Sequence, residues 1–190
     1  MNRSPTRRFC GAVASLHNYV VRNTMSFDLP GVKPGSDLET LYKAIGFVVV
    51  QWGYAEQALD LLVADIFHRF KGHALLKRRP KQLEPKINFL RECFAIIPKL
   101  KSFQAEADPL LEKFLRIGQV RNTLVHSSIA DFSLKDGAFM FLKVDVVPQA
   151  THEIRTVFLF DSGWQSLRKD LLDIGKDGQS LARRVSDSLK

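Results

Sequence analysis

The stretch VRNTLVHSS, residues 120–128, combines three side chains that can act together on a phosphate. Arg121 supplies a fixed positive charge, Asn122 can donate and accept hydrogen bonds, and His126 can carry a proton near neutral pH. Asn122 and His126 are four residues apart, so they share a face if the segment is helical. This set suits chemistry on a phosphodiester, in which the imidazole moves the proton and the guanidinium stabilises the anion.

Arg121 and His126 do not point in the same direction on a helix. They are five residues apart, which is about 140° around a helix of 3.6 residues per turn. Two arrangements remain open. Either the long side chain of Arg121 curls towards the pocket of His126, or a second copy of the chain in a homodimer supplies the missing half.

The element that positions these residues is predicted to be the third helix of the chain. Asp108 is suited to the N-cap and Pro109 to the first helical position, and the helix is predicted to end at His126. Arg121 and Asn122 each interrupt a row of apolar or small residues. The two rows are Leu110, Phe114, Ile117, Arg121 and Leu124, and Leu111, Leu115, Gly118, Asn122 and Val125.

A long first helix is predicted from a capping box at Ser36 and Glu39 to a stop near Gly72. Its apolar seam runs through 38, 41, 45, 48, 52, 55, 59, 62 and 66. Glu56 is the only charge in the neighbouring row, and an unpartnered buried charge costs several kcal/mol. We therefore predict that Glu56 supports the site by pairing with Arg121 or its neighbours. The alternative is that Glu56 lies at the edge of the stripe and reaches water.

A basic turn, LKRRPKQLEPK, precedes the second helix, which Pro85 should begin and Pro98 should stop. The predicted apolar face of that helix is Ile87, Leu90, Phe94 and Ile97. The turn carries four cations that we predict as RNA contacts, with a solvated loop as the alternative. They are Lys77, Arg78, Arg79 and Lys81.

After His126 the hydrophobic period changes to two, which indicates a small antiparallel sheet. A last helix is predicted after caps at Asp161 and Ser162. The predicted fold is mainly α: one domain over residues 36–190, with four or more helices and a β insertion near 131–160. That insertion lies between the third and fourth main helices. The seam of the last helix is Trp164, Leu167, Leu171, Ile174, Gly178, Leu181 and Val185.

Residues 1–35 are predicted to be a basic, poorly ordered extension, within which Met25 is a candidate native start. The first 27 residues hold four of the Arg side chains and no acid, so they contribute +4 to a net charge of +8. This charge permits an anionic partner without demanding one. No apolar run approaches the roughly 18–20 residues of a membrane span. Cys10 and Cys93 form no metal or disulfide framework, which favours a reducing cytoplasm.

The motif R-N-x-x-x-H at the end of a helix, downstream of WGYAE at Trp52 to Glu56, resembles the HEPN superfamily (higher eukaryotes and prokaryotes nucleotide-binding). The resemblance covers roughly residues 36–185, and Arg121, Asn122 and His126 match the motif. It implies a helical bundle that dimerises and brings two motifs into one cleft. It also implies a metal-independent endoribonuclease acting as a toxin, in phage defence or in RNA processing, although other members only bind.

We therefore expect an RNA endonuclease with Arg121, Asn122 and His126 as catalytic residues, without cofactor or metal. A catalytically inactive nucleotide- or protein-binding dimer and a plain structural dimer are the alternatives. An antitoxin or defence protein is a further expected partner. The toxin branch that pairs with a nucleotidyltransferase antitoxin carries Tyr two residues after the His. Here that position is Ser128, which argues against that particular partner.

Overall fold

A computed structural model describes residues 36–133, 138–146 and 152–189. This part of the chain is mainly helical, with four long helices, as the sequence predicts. The predicted N-terminal extension and the Lys-Asp-Gly turn at 135–137 lie outside the described residues. The helices are α1 (Asp37–Arg69), α2 (Leu83–Ile96), α3 (Gln104–His126) and α4 (Asp161–Asp187). The shorter elements are 3₁₀ helices at Gly72–Ala74 and Pro98–Phe103 and the strands β1 (Ser128–Ser133), β2 (Ala138–Val146) and β3 (His152–Phe160).

Helix α1 begins as predicted, because the Ser36 hydroxyl accepts a hydrogen bond from the Glu39 backbone N–H at 3.3 Å. Most of its predicted seam is buried. The helix stops at Arg69, close to the predicted end, and Lys71 follows in the left-handed region with φ of 62°. The buried seam residues are Leu41, Val48, Trp52, Ala55, Leu59, Leu62 and Ile66.

Helix α2 also follows the prediction, with Pro85 in its first turn and Pro98 just beyond its end. Helix α3 differs from the prediction at its start. It begins at Gln104, one turn before the predicted N-cap Asp108, and Pro109 lies inside the helix. The reason is that the preceding 3₁₀ helix leads directly into α3, which buries Ala107 completely in the core.

The strands form one antiparallel sheet in the order β1-β2-β3. Ser128 pairs with Leu142 between the first two strands, and Ala138 pairs with Phe160 between the second and third. Phe141 on β2 is fully buried and joins the helical core. Because β1 starts two residues after His126, the sheet begins where the motif ends.

The relative directions of the helices follow from their contacts. Arg168 lies over the Phe47 ring at 5.3 Å, and further along the same two helices Arg69 donates to Ser186 at 2.6 Å, so α1 and α4 run parallel. Ion pairs show that α3 runs antiparallel to α4, because the residue numbers of the α4 partners decrease as those of the α3 residues increase. These pairs are Glu106 with Arg184, Lys113 with Asp173, and Arg116 with Asp170. The C-terminal end of α3 therefore lies where α1 and α4 begin.

None of the helices in the described part of the chain is long and apolar enough to span a membrane. The core instead comes from one face of each helix. The seam of α4 is buried as predicted, with Leu171, Ile174, Leu181 and Val185 fully inaccessible to solvent. The helices thus pack as layers around one continuous apolar cluster.

Asp170 links α3 to α4, and its ion pairs make a pH-dependent contribution to stability. Burial alone would raise the pKa of Asp170, but the hydrogen bond and charge of Arg116, with Lys113 beside them, hold the pKa below its ordinary value. A lowered pKa stabilises the folded state above the unfolded value of about 3.9, and this gain is lost as the pH falls through the folded value.

We predict that Asp170→Asn lowers the free energy of unfolding by about 0.5–1 kcal/mol at pH 7, because Arg116 is more than half exposed and its pair is screened. Urea titrations at pH 7, 5 and 3 should show the difference from wild type shrinking towards acid. Asp177→Asn, an exposed position on the same helix, is the control and should change little. A constant difference at all three pH values would contradict the assignment.

Candidate active site

Arg121, Asn122 and His126 occupy the last two turns of α3. Asn122 and His126 are exposed, and Arg121 is half-buried. Nη1 of Arg121 donates to Oδ1 of Asn122 at 2.9 Å. This bond draws the guanidinium towards the face that Asn122 shares with His126. Within the described residues no contact joins Arg121 to His126.

The guanidinium of Arg121 is enclosed at its inner end. Its Nε is enclosed and has no hydrogen-bond partner among the described residues, whereas Nη1 is held by Asn122. Two further enclosed polar atoms without such a partner, Ser127 Oγ and Trp164 Nε1, belong to residues at the same end of the bundle. Ser127 follows His126 directly, and Trp164 is in the first turn of α4.

His126 is the last residue of α3, and its imidazole makes no hydrogen bond to any described residue. A structural histidine in a helical core would instead be buried with its nitrogens bonded to the backbone. Both ring nitrogens of His126 are therefore available to an external proton donor or acceptor. This accessibility is a requirement for a proton carrier, and exposed surface histidines such as His68 share it.

The structure does not show the expected pairing of Glu56 with the motif. Within the described residues its carboxylate contacts two other groups: Oε2 accepts from the Trp52 indole N–H at 3.0 Å, and Oε1 lies 3.3 Å from Lys86 Nζ. Lys86 reaches Glu56 from α2, and Arg121 bonds to Asn122 instead. Lys86 is thus the cation that pairs with Glu56.

Glu56 is nevertheless connected to α3 through Trp52. The indole ring packs edge-on against Phe114, with centroids 6.2 Å apart. It also lies against Gly118, where an added Cβ would stand 3.0 Å from Trp52 Cη2 and 2.3 Å from Leu83 Cδ2. Gly118 is one turn before Asn122 on the same face of α3. Side chains of α1 and α2 therefore pack tightly against α3 one turn before Asn122.

Lys86 is a residue of this site that the sequence analysis missed. It is only 3% exposed, and its ammonium contacts Asp60 at 2.7 Å as well as Glu56. A pattern that could have revealed it is present in the sequence. Lys86 interrupts a row of α2 at steps of four and three, which continues with Leu90, Cys93 and Ile97. It is the same kind of broken row that draws attention to Arg121.

The four cations of the basic turn are all exposed, in the loop between the first 3₁₀ helix and α2. Arg79 lines an open groove of about 690 Å³ together with Tyr54, Glu56 and Asp60. The described motif residues do not line that groove. The structure therefore brings Glu56 and Arg79 to one surface but leaves the motif at another.

Two other kinds of chemistry receive no support from the described residues. Over 36–133, 138–146 and 152–189, no group of three or more His, Cys, Asp or Glu side chains is placed to hold a metal ion. Cys93 is fully buried, and burial, with a smaller effect of Glu92, raises the pKa of its thiol to about 12. Cys93 is therefore protonated at neutral pH and is not an activated nucleophile.

No protein-family model, curated protein or solved structure matches this chain. The function of this chain is therefore inferred from the motif and from the geometry of the side chains around it.

We predict that Gly118→Ala destabilises the fold, because the new methyl group would meet the Trp52 ring and Leu83. Overpacking of this kind costs about 1–3 kcal/mol and should exceed the gain of about 0.5–1 kcal/mol from replacing a helical glycine. The matched control is Gly46→Ala on α1, where nothing lies within 4 Å of an added Cβ. Urea denaturation should show opposite signs for the two variants, and equal stabilisation by both would refute the close approach.

Proposed function

We propose that this chain is a HEPN-like, metal-independent RNA endonuclease that works as a homodimer. The proposal includes a helical bundle of HEPN type with the antiparallel strands inserted between α3 and α4. The observation that carries it is the end of α3. There an arginine, an asparagine bonded to it and an exposed histidine without an internal partner occupy two successive turns.

Each of the three side chains has a role that its contacts support. The guanidinium of Arg121 is enclosed at Nε and bonded through Nη1 to Asn122, and the bond restricts its position before a substrate arrives. A preorganised guanidinium stabilises the charge that develops on the non-bridging oxygens of a phosphate. Asn122 fixes the guanidinium and orients the phosphate or the imidazole, and His126 carries the proton.

The proposed reaction is transesterification by the RNA itself. The 2′-oxygen forms a bond to the adjacent phosphorus while His126 accepts the 2′-hydroxyl proton, and the bond from phosphorus to the 5′-oxygen breaks. The leaving oxygen takes up a proton from the imidazolium of His126 or of its copy in the partner subunit. The products carry a 2′,3′-cyclic phosphate and a 5′-hydroxyl, and no electrons are exchanged.

Apolar side chains that remain exposed support assembly at the motif end. Val125 lies on the last turn of α3, between Asn122 and His126 in sequence, and it is 37% exposed. Tyr42, Val49 and Val50 are exposed on the N-terminal half of α1, which lies at the same end of the bundle. Burial of such residues against a second copy would remove apolar surface from water.

A catalytically inactive binding module is the second candidate, and one observation favours it. Arg79 of the basic turn lines the groove beside Glu56, which the motif residues do not line. A chain with separate basic and motif surfaces could bind a nucleotide or a protein without cleaving RNA. The two candidate functions differ in whether His126 contributes to the rate of RNA cleavage.

We predict that purified protein cleaves RNA in the presence of EDTA and leaves DNA intact, because DNA lacks the 2′-hydroxyl. His126→Ala should reduce the rate by about 10²–10⁴, the usual contribution of a positioned proton carrier. His68→Ala is the control, since His68 is exposed on α1 near the opposite end of the bundle, and it should retain activity. The assay follows a single-site RNA and identifies its product ends.

Equal activity of wild type and His126→Ala, or cleavage that requires magnesium, would exclude the proposed chemistry. Either result would favour the binding module. Circular dichroism of both histidine variants checks that a loss of activity is not a loss of folding.

We also predict that the chain is a dimer at micromolar concentration and that Val125→Glu dissociates it, because a charge at a buried apolar interface is strongly unfavourable. Leu76→Glu is matched in exposure, at 39% against 37%, but lies in the loop after α1 at the other end. Light scattering should give a monomer mass for Val125→Glu only. A monomeric wild type would contradict the proposed assembly.

A further inference from the structure

Lys86 is unusual among the described residues, because it is a fully buried cation at the start of a helix. It lies in the first turn of α2, where the helix dipole disfavours positive charge. Its ammonium is held between two carboxylates of α1, with Asp60 Oδ1 at 2.7 Å and Glu56 Oε1 at 3.3 Å. The two acids offset both the dipole and the loss of hydration.

The contacts of Lys86 continue towards the motif. The second oxygen of Glu56 accepts the indole N–H of Trp52, and the Trp52 ring lies against Gly118 of α3. Trp52 is itself 4% exposed and packs against Phe114, so a displacement of the ring would be passed on to α3. A chain of direct contacts therefore runs from α2 through α1 to α3, ending one turn before Asn122.

We propose that Lys86 and Trp52 are positioning residues for the reaction at the motif, an inference that rests on the proposed ribonuclease function. Lys86 fixes the carboxylate of Glu56, and Glu56 fixes the indole. The indole sets the separation of α3 from α1 at Gly118, and hence the place of Asn122. Displacement of a reacting group by about 1 Å can lower a rate by about 10².

A positioning role can be separated from a role in folding at this site. The side chains of Glu56 and Asp60 are 36% and 54% exposed, so water can solvate both acids when Lys86 is neutral. Removal of one partner of a buried ion pair is costly mainly because the other charge stays buried without a partner, and the exposure of both acids reduces that cost here. Lys86→Met should therefore fold, with a Glu56 carboxylate whose position is no longer fixed by the ammonium.

The test compares Lys86→Met with Lys99→Met, an exposed lysine of the second 3₁₀ helix. The chain has two tryptophans, so ¹⁵N spectra contain two indole signals, and Trp52→Phe assigns them. In Lys86→Met we expect the Trp52 indole signal and the backbone amides of 118–126 to shift, with the Trp164 indole unchanged. On RNA, kcat should fall by about tenfold or more while KM stays within about twofold.

Lys99→Met should resemble wild type in every measurement. Trp52→Phe removes the indole donor and should show the same loss of kcat as Lys86→Met. Unchanged indole and amide signals in Lys86→Met would overturn the proposal, as would unchanged kcat alongside shifted signals. If wild-type protein does not cleave RNA, the proposed function fails. The amide shifts of 118–126 still decide in that case whether Lys86 positions the motif.

Discussion

The close approach of α3 to α1 and α2 at Gly118 is the constraint on which the arrangement of the site depends. A Cβ at that position would stand 2.3 Å from Leu83 Cδ2 and 3.0 Å from Trp52 Cη2, so a larger residue there requires these side chains to shift. This approach determines the position of the next turn of α3, which carries Asn122. A longer separation would open the core beneath Phe114 and move the motif away from the bundle.

A group of three charges connects the two helices that α3 approaches. Lys86, Glu56 and Asp60 form a group that joins α1 to α2. Such a group adds little net stability, because desolvation offsets much of the attraction. It does restrict geometry, since the carboxylate of Glu56 must serve both the ammonium and the Trp52 indole. Rigid supporting contacts of this kind are what a preorganised site requires.

Periodicity and capping residues predicted most of the helical structure. The seams of α1 and α4, the cap at Ser36 and the two proline boundaries of α2 are confirmed, because each depends on local sequence and on which face is apolar. The predicted start of α3 is wrong. The helix begins earlier because its backbone continues directly from the 3₁₀ helix, and Ala107 is buried there. Local capping preference was overridden by packing.

The side chains of the site were only partly predictable. Arg121 and Glu56 stand out because each interrupts an apolar row. An interrupted row does not specify which residue of another helix pairs with the charge. Glu56 contacts Lys86 rather than Arg121, and that choice depends on how α2 packs against α1. The bond between Arg121 and Asn122 is likewise a matter of rotamers, which periodicity does not specify.

The central claim is that RNA engages the end of α3, and binding of an uncleavable RNA tests it most directly. A 2′-O-methyl oligonucleotide lacks the attacking hydroxyl, so it can be titrated into ¹⁵N-labelled protein without turnover. The account predicts that the largest amide shifts fall on residues 121–126 and their side chains. Shifts confined to the basic loop at Lys77–Lys81, or no shifts at all, would contradict it.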